Sequence, residues 1–135
     1  MTQEFLVETP GRGLHEITGT VAGAVDQSGT HDGLCTVFLR HTSASLLIQE
    51  NADPSARSDL EVWLDRLVPD GIGWAHTDEG PDDMPSHIRS ALTASSLSIP
   101  IFRGRLGLGT WQGVYVWEHR LRPHTRRVLV HIMAS

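Results

Sequence analysis

Two strand-like runs, Leu34–Leu39 and Ala44–Glu50, are separated by only a very short link at Thr42-Ser43. A parallel crossover needs a dozen or more residues, so a connection this short favours antiparallel neighbours. Most other connections are short too. Glu4–Glu8 reads as a first strand, ended by Pro10-Gly11, and His15–Ile17 as a short second one. Leu97–Phe102 carries Pro100, which implies an edge or a bulge, and Gly113–Glu118 and Arg127–Met133 follow after a glycine-rich turn. Period two places Cys35, Val37, Leu39 and His41 on one face.

Helical signals lie between these strands. Ile17, Val21, Ala24 and Val25 recur at helical spacing over Thr18–Gln27, with Thr18 as a possible cap and Gly29 as a stop, although Gly19 and Gly23 weaken the pattern. Asp53-Pro54 opens a second helix with a stripe of Leu60, Trp63, Leu64 and Leu67, ended by Pro69-Asp70-Gly71. Pro85 opens a third, with Ile88, Ala91 and Leu92 facing inward and Ser95-Ser96 at its end. The pattern predicts one α+β domain over residues 1–135, with largely antiparallel, sandwich-like sheets and two or three helices.

A chain of 135 residues, 39% hydrophobic and 20% charged, can bury one real core. The formal net charge of -5 argues against a nucleic-acid-binding surface. Cys35 is the only cysteine, so no intramolecular disulfide forms, and its mid-strand place suits a buried, inert thiol. There is no signal-like apolar segment and no run long enough for a bilayer, so a cytoplasmic protein without a membrane partner is expected.

The candidate chemistry sits in Trp74–Arg89, where His76, Asp78, Glu79, Asp82, Asp83 and His87 crowd a turn-rich loop that runs into a helix. Imidazole and carboxylate bind divalent metals and move protons near neutral pH. A solvated acidic loop explains the same composition. His41 at a strand end, His76 in the loop and His87 at a helix start form a three-histidine set. Such a set leaves a fourth position on zinc for water or substrate, but the spacing matches no short zinc motif. Asp82 and Asp83 suit general-base work beside a metal, or simply a helix cap. Glu118 shares a face with Val114 and Val116 and therefore needs a buried partner. Gly107–Gly113 could offer amides to a phosphate, though a plain turn explains it as well. Trp74 and Trp111 could stack on a planar ligand or merely pack.

Six ordered stretches resemble one known family. They are Cys35–Phe38, His41–Leu46, Glu50–Pro54, Glu79–Ile88, Ser95–Pro100 and Gly104–Gly113. Together they are similar to the YjbQ-like family, also called the secondary thiamine-phosphate synthase family, from about Phe5 to Met133. The resemblance implies a homotrimer with a site near the subunit boundary, built from His41, His76 and His87, often with a divalent metal. Zinc is expected there, or magnesium for a diphosphate substrate. It also implies a role for Glu118. On an enzymatic reading, Glu118, Asp83 and His41 carry the chemistry, while Arg105 and the amides of Gly109, Thr110, Trp111 and Gln112 hold a phosphorylated small molecule. The implied reaction joins a pyrimidine diphosphate to a thiazole phosphate. The alternative is a non-catalytic trimer that binds a metal or small ligand.

Overall fold

The computed structural model describes residues 1–71 and 73–135. Eleven elements follow one another: β1 (Thr2–Thr9), β2 (Gly13–Glu16), α1 (Thr18–Ser28), β3 (Gly33–Leu39), β4 (Ala44–Glu50), α2 (Pro54–Leu67), α3 (Asp83–Leu92), β5 (Ser96–Phe102), β6 (Arg105–Leu106), β7 (Gln112–Glu118) and β8 (His124–Ala134). They form a five-stranded sheet, β1-β8-β3-β5-β6, and a three-stranded sheet, β2-β7-β4. Every strand pairing is antiparallel. The α+β sandwich expected from the sequence is what forms. The short link after β3 does not pair β3 with β4: it is a corner at which the chain passes from one sheet to the other.

The main core lies between the sheets. Cys35, Val37 and Leu39 of β3, Ile99 and Ile101 of β5, and Val128, Val130 and Ile132 of β8 face Ala44, Leu46, Val114 and Val116 of the smaller sheet. Helix α1 joins this layer through Val21, Ala24 and Val25. Each such aliphatic side chain stabilises by roughly 1.5–3 kcal/mol when fully buried. Strand β7 also has a second buried face, where Tyr115 and Trp117 pack with Leu14, Leu64 and Val68. A strand covered on both sides loses the polar alternation of a half-exposed one, which explains the unbroken Val114–Trp117 run. Burial pushes the Cys35 thiol up to about 11, consistent with an inert core residue.

Several local expectations change. Thr18 does not cap α1; Ile17 stands at the cap, and the Thr18 hydroxyl bonds Glu16 and accepts from the Val114 amide. Gly29 does stop the helix, in left-handed geometry that suits glycine. Asp53 caps α2 by accepting the Ser55 amide at 2.9 Å. The α2 stripe is only partly used: Leu64 is buried, while Trp63 and Leu67 are exposed. Pro100 produces no bulge, because the β3–β5 register runs unbroken from Gly33↔Ile101 to Phe38↔Ser96. Its missing amide falls just before β6 begins to pair, where β5 is in effect an edge.

Helix α3 departs most. It begins at Asp83 rather than Pro85, and it buries Asp83, Pro85, Ser86 and Arg89, with Ala91 and Leu92 exposed. The inward face is polar because its partners are polar. The Ser86 hydroxyl donates to the Asp82 and His119 carbonyls, and Arg89 donates to Asp65 and the Val68 carbonyl. Hydrogen bonds offset most of the desolvation cost of such buried polar groups, though the Arg89 Nε is left without a partner.

Candidate functional site

The site forms where the start of α3 meets the loop before it and the turn after β7. Asp83 is in the first turn of α3, where the helix dipole favours a carboxylate. His87 follows at i+4 and so stands on the same face, one turn above Asp83. His76 reaches over from the preceding loop. The His76 Nε2 lies 2.7 Å from Asp83 Oδ2, and the His87 Nε2 lies 3.3 Å from the same oxygen. The two rings are 5.5 Å apart and tilted by 58°. The Asp83 side chain is 2% exposed, whereas His76 and His87 stay open to solvent at 54% and 30%.

The tautomer of His87 is set by its other nitrogen. Nδ1 lies 2.8 Å from the Thr42 carbonyl, which can only accept, so Nδ1 carries the proton. Nε2 then presents its lone pair toward the Asp83 carboxylate. Two acceptors facing each other at this distance call for a cation or a proton between them. An imidazole whose far N–H is held by a carbonyl is the arrangement of a metal-ligating histidine.

The donors fit a divalent metal. One nitrogen from each of His76 and His87 and one Asp83 oxygen all lie within 4.8 Å of one another. For bonds of about 2.0 Å, the edge of a tetrahedral site is roughly 3.3 Å, the His87–Asp83 separation, whereas His76 Nε2, 2.7 Å from Asp83 Oδ2, stands at hydrogen-bond distance and would draw back to share an ion. Two imidazoles and a carboxylate suit zinc or a similar transition metal better than magnesium, which prefers oxygen and water.

Asp83 is held from behind. Arg120 Nη1 donates to Asp83 Oδ1 at 2.9 Å, and Arg120 Nε donates to Asp82 Oδ2 at 3.0 Å. Asp82 makes no side-chain cap and instead also accepts the Leu121 amide at 2.9 Å. Burial alone would raise the Asp82 carboxyl, but the Leu121 amide and Arg120 outweigh it and hold it below the usual range. Capping is therefore not what this acidic pair does.

His41 is not one of the donors that meet within this chain, although the next residue, Thr42, bonds His87. The His41 Nε2 accepts the Arg127 amide at 2.8 Å, leaving only Nδ1 free. Burial, then the nearby Arg126 charge, lowers its pKa and favours the neutral ring. Within one chain, Asp83 takes the third place in the donor set that the sequence assigned to His41. Glu118 is sealed from solvent, so it meets no ligand directly. It accepts from Arg126 Nε at 2.7 Å and Thr9 Oγ1 at 2.6 Å, with a second contact to Arg126 Nη2, and from the amides of His119 and Arg120 at 3.0 and 3.1 Å. The partner that its apolar strand face demanded is Arg126.

Arg105, Gly109, Thr110, Trp111 and Gln112 lie before β7 or at its start, while Glu118 ends that strand beside the cluster. Six residues of strand separate the two ends by roughly 20 Å. Moreover, the Gly107 amide is used by the Pro100 carbonyl and the Gly109 amide by the Gln112 side chain. The loop is tied to itself. A recess of about 250 Å³ does adjoin the cluster, lined by Trp74, His76, Pro81, Met84 and Pro85. Trp111 is exposed at the far end of the molecule's smaller sheet.

Sequence reasoning missed Arg120 and Arg126, which hold the carboxylates, and the Thr42 carbonyl, which sets the His87 tautomer. A buried arginine has no local sequence signature, but two adjacent carboxylates without a cap were a signal that a cation was required.

Comparisons with known proteins agree with this architecture. The family profile described as UPF0047 protein YjbQ-like matches residues 3–135. A UPF0047 protein of Synechocystis sp. is 59% identical over 132 residues, covering 96% of this chain and 90% of its own. The YjbQ protein of Escherichia coli O157:H7 is 43% identical, with 92% and 91% covered. The crystal structure of an uncharacterised YjbQ/UPF0047 protein from Clostridium acetobutylicum superposes with a TM-score of 0.89 at 39% identity, covering 97% of this chain and 99% of that one. A hypothetical protein from Aeropyrum pernix gives 0.91 at 29% identity, with 100% and 99% covered.

Proposed function

The chain belongs to the UPF0047 family of YjbQ-like proteins, and on that premise we propose that it is a divalent-metal enzyme acting on a phosphorylated small molecule. The observation that carries this reading is the convergence of the His76 and His87 Nε2 atoms on Asp83 Oδ2, with the His87 lone pair aimed by the Thr42 carbonyl. Zinc fits the donors best. A divalent ion held there supplies positive charge to the oxygens of a leaving phosphate or diphosphate.

Arg120 is shared among Asp83, Asp82 and Glu79, so the cluster is net acidic without a metal, and a divalent ion would offset that charge before a phosphate approached. The recess beside His76 takes the body of the ligand, with Trp74 offering a flat face. The reaction to assay is the joining of a pyrimidine diphosphate to a thiazole phosphate, with diphosphate released. Purified, zinc-loaded protein is expected to form product well above buffer background, and His87→Ala to abolish it. Equal product with and without wild-type protein would refute the catalytic reading.

A second reading, a non-catalytic metal- or ligand-binding protein, is favoured by one observation. The expected phosphate-holding segment, Arg105 with Gly109–Gln112, lies at the far end of β7 and is bonded to itself. Ligand-induced stabilisation without turnover would support it.

We also propose that the chain assembles as a homotrimer. Leu34, Phe38, Phe102 and Met133 leave large apolar side chains exposed on the larger sheet, the kind of residue that association covers. Light scattering at micromolar concentration is expected to give three times the 14.9 kDa chain mass, and a monomer mass would overturn this. Among the described residues, no helix is long and apolar enough to cross a membrane.

A further inference from the structure

We propose that Arg120 is the positioning residue of the metal site, and that by locking one oxygen of Asp83 it limits that carboxylate to a single donor atom. The proposal rests on the metal reading above. Its ground is the division of labour between the two Asp83 oxygens. Oδ1 accepts from Arg120 Nη1 at 2.9 Å, while Oδ2 faces both imidazoles. A carboxylate with one oxygen held by a guanidinium cannot swing to chelate a cation through both.

Arg120 is itself over-determined. Its Nε binds Asp82 Oδ2 at 3.0 Å, and its Nη2 binds the Glu79 carbonyl at 2.9 Å. Its backbone amide donates to Glu118 Oε2 at 3.1 Å, and Glu118 is clamped in turn by Arg126 and Thr9. The residue is 9% exposed. A chain of bonds therefore runs from the sandwich core through Glu118 to the Arg120 backbone, and through the guanidinium to Asp83. Only a planar fork can hold Asp82 and Asp83 at once; a lysine ammonium is a point charge without that geometry. A single carboxylate oxygen with two imidazoles suits a four-coordinate ion with one open position. A carboxylate free to bind through two oxygens suits larger cations of higher coordination number, such as calcium.

The test uses cobalt(II) as a visible probe of coordination, titrated into metal-free full-length protein. Arg120→Lys keeps the charge and removes the fork, so a change reports geometry. It is expected to weaken cobalt binding about 10–100-fold, the usual effect of losing a group that orients a ligand. The visible absorption should also weaken, as the four-coordinate spectrum gives way to that of a higher-coordinate ion. Asp82→Ala leaves Asp83 and Arg120 in place and removes the oxygen that anchors the Arg120 Nε, so it should shift both readouts the same way by less. Circular dichroism and urea midpoints establish that each variant is folded, and if Arg120→Lys is not, Asp82→Ala decides alone. Affinity and spectrum unchanged from wild type, or tighter binding, would overturn the positioning role. No cobalt binding by wild type, or full binding by His87→Ala, would instead sink the metal site itself.

Discussion

His87→Ala is expected to lose nearly all bound metal while staying folded. The ring contributes one of three donors, and a site with two donors left holds a divalent ion poorly. It contributes nothing to either apolar core. Its one other bond, Nδ1–H to the Thr42 carbonyl, is worth only about 1 kcal/mol of stability. Metal content by plasma mass spectrometry, beside a thermal melt, separates the two effects. His76→Ala should behave alike. His41→Ala should keep its metal, because Nε2 is already committed to the Arg127 amide and the ring lies outside the cluster. Protons compete with the cation for imidazole nitrogen, so wild-type metal content should fall as the buffer is acidified. Full metal in His87→Ala would refute the assignment.

Breaking the Glu118–Arg126 pair should have the largest effect on stability. Both side chains are buried, at 0% and 4% exposure, between the sheets at the end of the main core. Removing one partner strands the other as an unpaired buried charge, at a cost of about 3–5 kcal/mol. Arg126→Met and Glu118→Leu are each expected to lower the unfolding free energy by that amount, read from urea midpoints and slopes at fixed protein concentration. The double variant should recover part of the loss, since neither charge is then left alone. It should not recover all, because the His119 and Arg120 amides would still lack their acceptor, while Thr9 keeps the His124 carbonyl. The pair also sets an acid limit. Burial raises the Glu118 carboxyl, but the bonds from Arg126 and Thr9 outweigh it, so its folded pKa lies below the usual 4.5. The stabilisation is therefore present above the ordinary carboxyl range and is lost as pH falls through the lower, folded value. Stability measured down an acid series should drop below pH 4.5 in wild type and flatten on that limb in Glu118→Gln. An acid limb identical in the two proteins would show that another group carries it.

Much of the sandwich was legible because its strands carry their own signals. Leu34–Leu39 and the run to Glu118 are apolar, short and bounded by turns, and the connections allow little but antiparallel pairing. Asp53-Pro54 announced α2 through local chemistry that no distant contact had to supply. What escaped was non-local. Nothing near Asp82 and Asp83 indicates that Arg120, 37 residues beyond Asp83, will lie beneath them. Helix α3 was misread for the same reason: its apolar residues suggested an inward face, but the polar turn after β7 decides which side it buries. The histidines show both cases. His76 and His87 lie in one loop-and-helix unit and meet; within one chain the His41 ring is turned to the Arg127 amide, although its neighbour Thr42 bonds His87.

The pairing of β1 with β8 bears on how the chain reaches this state. Thr2 lies opposite His131 and Thr9 opposite His124, so β1 has no partner until a strand more than a hundred residues later is in place. In the larger sheet, β8 is also the neighbour that β3 needs on one side. Contacts of such long sequence separation must close a large loop before they return any stabilisation, which slows folding. During that interval β1, with Phe5, Leu6 and Val7 at its centre, is an open strand able to pair with other chains. A chaperone that shields this segment early, or synthesis at low temperature and concentration, is expected to raise the soluble yield.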